Sequence, residues 1–412
     1  MRSGPPRARP ATERRGRGRQ GVIGSNPSAT QKTAPAARGF RRRTFLAIGV
    51  AAVGTVAAGA RLINGRPARE LNLLNWSDEL PDPVLANFER ATGIKVRSTP
   101  ISHSEGQIAT LLAAGGAGFD LCQATRDRAS QFRDAGVLAA FDMDRLPNSG
   151  NLIPSLFAGS KSVWSWDGGL HHLPHCWGTE GIAWRADRTS LDYRSLSFGT
   201  LWEEQYRGAV QGRPDSLLRG IGLWMDRTGR LPSNRMLDAY ESEDSMRRIY
   251  DVILAFAIDR RAWIRQFCEG AESVAAGFIE NDCTIGKTWD GPALSLTKAG
   301  RPVGYMAPQE GAITWVDGWT MTKAAKNIEE AYEFLNYVMT AEVSAQIAEG
   351  SGYNPAVLGA DAHLSHGARS RFAAAYPEDA LRKLWHRPPE PSWFAVLRRQ
   401  YARKFAAAAR EV

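Results

Sequence analysis

The sequence predicts an α/β protein built on a mostly parallel sheet with helices packed against it. Strand and helix signals alternate β-α-β-α-β from Leu71 to Ala124 with short connections. Apolar residues make up 43% of the 412-residue chain and charge is modest, a globular composition with room for two or three domains. No internal repeat and no coiled-coil heptad competes with that pattern.

Each element has its own signal. Leu71-Asn72-Leu73-Leu74-Asn75-Trp76 is a short uncharged strand, and Ser77-Asp78-Glu79-Leu80-Pro81 ends it. Asp82 reads as an N-cap with Pro83 at the first helical position; Val84, Leu85, Phe88 and Ala91 form the apolar stripe and Gly93 closes the helix. Strand follows over 94–101, helix over 107–114 and strand over 119–124. Leu201 to Val210 is a short amphipathic element leading into a strand. Pro214-Asp215-Ser216 caps a helix running from Leu217, and a long helix is expected from Arg247 to Ile264. Gly277 to Leu296 has strand character centred on Ile285-Gly286-Lys287-Thr288-Trp289-Asp290-Gly291, where a regular strand turns Trp289 and Asp290 to opposite faces. Ile328, Tyr332, Leu335 and Val338 mark a helix, a second begins at Ala341 and ends around Tyr353, and Trp393 to Arg410 is a third.

The formal charge of +9 does not indicate a nucleic-acid partner. Residues 1–60 hold 12 of the 52 Lys and Arg and one acid, Glu13, leaving a body of 40 basic and 42 acidic groups. The scattered arginines read as solvated surface. Arg41-Arg42-Arg43-Thr44-Phe45-Leu46 precedes an apolar run, Ala47 to Ala57, and Ala58-Gly59-Ala60 supplies a cleavage site. This resembles a twin-arginine export signal with an extended leading segment, and places the working protein in the periplasm. An uncleaved anchor is the lesser alternative.

Export puts Cys122, Cys176, Cys268 and Cys283 where a disulfide is permitted. Cys268 with Cys283, closing a short local loop, is the preferred pair, and buried thiols are the alternative. His171, His172, His175 and Cys176 could suggest metal ligands, but an extended segment turns His171 and His175 one way and His172 the other. We read a polar strand crossing between lobes, with no metal and no cofactor.

On an extended strand, Trp315 and Asp317 in Ala312-Ile313-Thr314-Trp315-Val316-Asp317-Gly318-Trp319 face the same way. An indole beside a carboxylate suits an organic cation; the bland reading is a core tryptophan beside a surface or capping aspartate.

The order of motifs decides between these readings. L-N-L-L-N-W-S-D-E-L-P-D with A-T-G-I-K-V, then G-F-D-L, L-P-H-C-W-G-T, the W-D-G of Trp289, and I-T-W-V-D with the later S-G-Y span about residues 70–357. Together they resemble the periplasmic solute-binding proteins of ABC importers, within them the spermidine/putrescine-binding family. The resemblance implies a two-lobed periplasmic binding protein of type II, each lobe a mixed, mostly parallel sheet flanked by helices, with the solute in the cleft between them. It implies lobe 1 over 61–183 and again over 311–350, lobe 2 over 184–310, and a C-terminal helical segment over 351–412 packing on lobe 2. The family's polyamine contacts fall on Trp76, Ser77, Asp78, Thr125, Asp215, Trp289, Trp315, Asp317 and Tyr353, with His386 a further candidate. Glu79 and Arg126-Asp127 stand where the family has aromatics, and Leu218 where it has an acid, which thins the aromatic box. The implied activity is capture of a polyamine-like cation by a monomer and delivery to an ABC permease, not catalysis. An exported enzyme is the rival reading, although no G-x-S-x-G, H-E-x-x-H or phosphate loop is present. Another small solute, such as an amino-acid derivative, a betaine-like cation or a metal complex, is the third.

Overall fold

The uncharged run after Glu70 forms most of a parallel strand, β1 (Glu70–Trp76), whose leucines at 71, 73 and 74 are fully buried. The structure, a computed structural model, describes residues 69–101, 110–111 and 113–410. The expected export signal lies outside them; of the helix expected over 107–114, Thr110, Leu111 and Ala113 are helical, Ala114 is in a turn and the rest lies outside. No helix among the described residues is long and apolar enough to cross a membrane.

Helix α1 (Asp82–Thr92) follows, with Pro81 rather than Asp82 as its N-cap and Gly93 at φ 73° ending it. β2 (Lys95–Ile101) and β3 (Leu121–Thr125) pair with β1 in parallel on either side. Beyond them come β4 (Leu173–Arg185), β5 (Val210–Gly212), α2 (Pro214–Arg227), α3 (Glu243–Asp259), β6 (Ile264–Phe267), α4 (Ala271–Ile279), β7 (Ile285–Trp289), α5 (Asp290–Lys298), β8 (Val303–Met306), β9 (Ile313–Thr322), α6 (Ile328–Val338), α7 (Ala341–Ser351) and α8 (Ser392–Ala409). The strands join one mixed 12-stranded sheet whose main path runs β2-β1-β3-β9-β4-β7-β5-β6.

The two long strands at the middle of that path belong to two cores. β9 contributes Trp319 and Met321 to the core that holds Leu73, Phe88 and Phe334, and its Ile313 to the core that holds Ile221, Ile249 and Phe394. β4 does likewise through Leu173 and Ile182. They pair antiparallel from Ile313 opposite Glu180 to Trp319 opposite Leu173, with a bulge at Asp317/Gly318 that leaves His175 as the extra residue. A third cluster, containing Trp289, Trp315 and Tyr353, gathers at the junction.

Several sequence expectations need correction. α3 begins at Glu243, where the Ser242 hydroxyl accepts the Ser245 N–H and two acids lie in the first turn, and it stops at Asp259 so that Ile264 starts β6. Only Ile285–Trp289 of the stretch 277–296 is strand; α4 ends within it, and α5 starts at Asp290 with an acid at its positive end. α2 starts at Pro214, so Asp215 lies inside its first turn rather than ahead of it. The Cys268–Cys283 disulfide is not formed. All four cysteines are buried thiols, and Cys268 and Cys283 pack with Val274 and Phe278 as small apolar groups.

Candidate functional site

β1 runs out at Trp76, and its turn is tied back by the Ser77 N–H donating to the Ile101 carbonyl at 3.0 Å. β3 ends on Thr125 and β7 on Trp289, the carboxyl ends at which open α/β sheets hold ligands. The first turn of α2 supplies Asp215, the middle of β9 supplies Trp315 and Asp317, and Gly352 at φ 84° turns the chain out of α7 into Tyr353. Trp76, Ser77, Asp78, Thr125, Asp215, Trp289, Trp315, Asp317 and Tyr353 all line a single cavity of about 410 Å³. His386 does not; its neighbour Arg387 does. Asp290 turns away from the cavity, accepting the Tyr376 hydroxyl at 2.9 Å and the Thr179 N–H at 3.1 Å.

The aromatic wall is held by directional contacts. Trp315 and Tyr353 meet edge to face with centroids 4.9 Å apart. Trp289 Nε1 donates to the Tyr353 hydroxyl at 2.7 Å, which donates to Asp78 Oδ2 at 2.5 Å. Burial and the adjacent Asp78 carboxylate keep the Tyr353 phenol well above its ordinary range, so it stays a donor.

Glu79 is buried beside Asp317, with a carboxyl oxygen within 4.8 Å of Cys176 Sγ. Burial, with Asp317 beside it, holds Glu79 well above the carboxylate range. Burial also pushes Asp317 up to about 6, although its hydrogen bonds to Glu79 and Thr125 pull the other way. Two carboxyls in contact in a dry site share one proton.

The cavity is also lined by Arg128, Arg213, Arg387 and Arg398, and its buried arginines are exceptions to the reading of the arginines as solvated surface. Arg128, Arg219 and Arg398 are buried. Arg128 reaches Glu390 at 2.5 Å, and Arg398 joins Glu390 at 3.2 Å to Asp215 at 3.0 Å. Lys287 Nζ donates to Glu180 at 2.7 Å and Arg387 bonds the other Glu180 oxygen. Asp127 lies behind, 3.8 Å from Arg128 and 3.9 Å from Arg387. Arg213 stacks 4.0 Å above the Trp289 ring centroid. Burial alone would raise Asp215, but Arg398 and Arg219 outweigh it and bring the carboxyl down to about 2. Glu180 and Lys287, charges buried inside strands, were the sequence signal for this network, since such groups persist only when paired.

The histidines serve the scaffold. His172 bridges the Ser160 hydroxyl and the Ala124 carbonyl at 3.0 Å each, and His171 stacks 4.0 Å from Trp166. Glu79, His175 and Cys176 bring donor atoms within 4.8 Å of one another, a grouping that could hold a metal. We assign none.

Two cores sharing a pair of long strands, with a polar and aromatic cavity at their junction, define a cleft-type solute-binding protein. The chain belongs to the bacterial extracellular solute-binding proteins, whose pattern matches residues 84–378. It works outside the cytoplasm and is a binding protein, not an enzyme. It is 26% identical over 330 residues to the spermidine/putrescine-binding periplasmic protein of Escherichia coli, covering 78% of this chain and 86% of that one. It is 27% identical over 345 residues to the putrescine-binding periplasmic protein PotF of the same organism, covering 81% and 88%. The substrate-binding protein PotD of a spermidine/putrescine ABC transporter from Streptococcus pneumoniae superposes with a TM-score of 0.66 at 20% identity, over 83% of this chain and 99% of that one, and shows the two-lobed fold.

Proposed function

We propose that this chain captures a small organic cation of the polyamine type in the cleft and delivers it to the membrane permease of an ABC importer. One observation carries the reading: Asp78, Glu79 and Asp317 stand beside Trp76, Trp289, Trp315 and Tyr353 in one cavity, and among the described residues no Lys, Arg or His forms an ion pair with those three carboxyls. An ammonium group would be held by the carboxylates while the rings cover its methylenes. Carboxylates in a closed cleft are costly unless paired, so an empty protein favours an open, wet cleft and solute favours closure. The reading takes 61–183 with 311–350 as one moving body and 184–310 as the other. It also takes the protein as a monomer exported by the signal around Arg41-Arg42-Arg43. The names of the relatives support amines as the class to test first.

Titration calorimetry with the mature protein and a panel of mono-, di- and polyamines, amino acids and sugars tests this. Saturable binding confined to ammonium-bearing compounds is expected. Binding of sugars alone, or turnover of any compound, would overturn it.

A further inference from the structure

The cavity is lined by two groups of opposite charge. At one end Asp78 accepts the Tyr353 hydroxyl, and Glu79 and Asp317 face each other. With one proton shared between that pair, this end carries two negative charges and no cation of its own. At the other end Arg128, Arg219, Lys287, Arg387 and Arg398 meet four carboxylates, those of Asp127, Glu180, Asp215 and Glu390. Arg213 adds a further cation with no carboxylate partner; one of its N–H groups reaches the Glu269 carbonyl at 2.9 Å and its plane covers Trp289. Glu269 also lines the cavity, so this group carries an excess of one positive charge. The Nε atoms of Arg128 and Arg387 are buried without a hydrogen-bond partner, donors that await an acceptor.

We infer that the solute is a zwitterion, an ω-amino acid or related amine carrying an acidic group, with its ammonium at Asp78 and Asp317 and its carboxylate at Arg213 and Arg387. The inference rests on the cleft being the solute site. A diamine or polyamine satisfies only the first end; its second ammonium would lie against uncompensated guanidinium groups, a like-charge contact that excludes wrong ligands. A carboxylate there completes the arginine donors instead and offsets the positive excess, while the ammonium offsets part of the negative charge. The face of Trp289, occupied by Arg213, then orients that guanidinium toward the acid rather than stacking on a solute methylene.

The test is calorimetry on the mature protein with 4-aminobutanoate, 5-aminopentanoate and 6-aminohexanoate against 1,4-diaminobutane, spermidine and butylamine. At least one amino acid is expected to bind tenfold or more tighter than the diamine of matching length. Arg213→Gln, at a half-buried position with no ion pair to lose, should weaken the amino acid tenfold or more and leave the diamine unchanged or tighter. Arg387→Gln should act in the same direction. Equal or tighter binding of the diamine or spermidine by the unaltered protein would overturn the zwitterion while leaving amine capture standing. An Arg213→Gln variant that keeps the amino acid's full affinity would overturn it too. If no ammonium compound of either set binds, amine capture fails and this inference falls with it.

Discussion

Gly178 lies directly across the ladder from Trp315, and a Cβ placed on it would come within 2.3 Å of the indole Cζ2 and 2.5 Å of Asp290 Oδ1. The missing side chain is what lets the indole lie flat over β4 and reach the cavity. Neither the ring nor the buried, four-times hydrogen-bonded Asp290 has room to yield.

Gly178→Ala should therefore both destabilise and weaken binding. Overpacking of this kind costs about 1–3 kcal/mol, read as a lower urea midpoint with an unchanged slope. Displacement of the indole should lower solute affinity severalfold by calorimetry. A variant as stable and as tight as the parent would show that Trp315 does not depend on this gap.

Asp317→Ala should lower affinity for an ammonium solute tenfold or more, matching the roughly 1–3 kcal/mol of a charged hydrogen bond. Unchanged binding would remove Asp317 from the solute site.

Solute binding should also depend on acid. Burial raises Asp317 to about 6, so the empty protein takes up its proton as pH falls through that value. An ammonium group prefers the ionised form; affinity should be full above pH 7, fall through pH 6, and be accompanied by proton release near the midpoint. Calorimetry in buffers of different ionisation enthalpy reads that release, and its absence would remove the carboxyl pair from binding.

The pairing of Asp215 with Arg398 acts on stability with the opposite pH dependence. Its carboxyl is lowered from 3.8 to about 2 by Arg398 and Arg219 against the effect of burial. A depressed acid contributes stability above its unfolded value, and that contribution is lost as pH falls from about 4 through about 2. Asp215→Asn should cost on the order of 1–2 kcal/mol at pH 7 and progressively less as pH approaches 2, measured by urea unfolding across that range. A deficit independent of pH would assign the loss to packing instead.

Much of the cavity was legible in the sequence because its residues sit where strands run into turns. Trp76-Ser77-Asp78 are marked by the polar residues that end β1, and the spacing of Trp315 and Asp317 puts both on one face of β9, whereas Thr125, Asp215, Trp289 and Tyr353 were reached only through the family resemblance. The arginine network was not legible. Arg128 meets Glu390 across 262 positions and Arg398 meets Asp215 across 183, and local periodicity carries no record of such pairs. The helix start at Asp290 was hidden by the strand-like residues before it, and the start of α3 by the polar run Glu241-Ser242-Glu243-Asp244. The bulge that adds His175 to β4 depends on the partner strand and has no sequence signature of its own.

The four buried thiols bear on how the molecule is made. No sulfur–sulfur bond joins any of Cys122, Cys176, Cys268 and Cys283, so the native topology requires no oxidant and no isomerase to select a pairing. Folding can be completed under reducing conditions, and dithiothreitol should leave the melting temperature where it was.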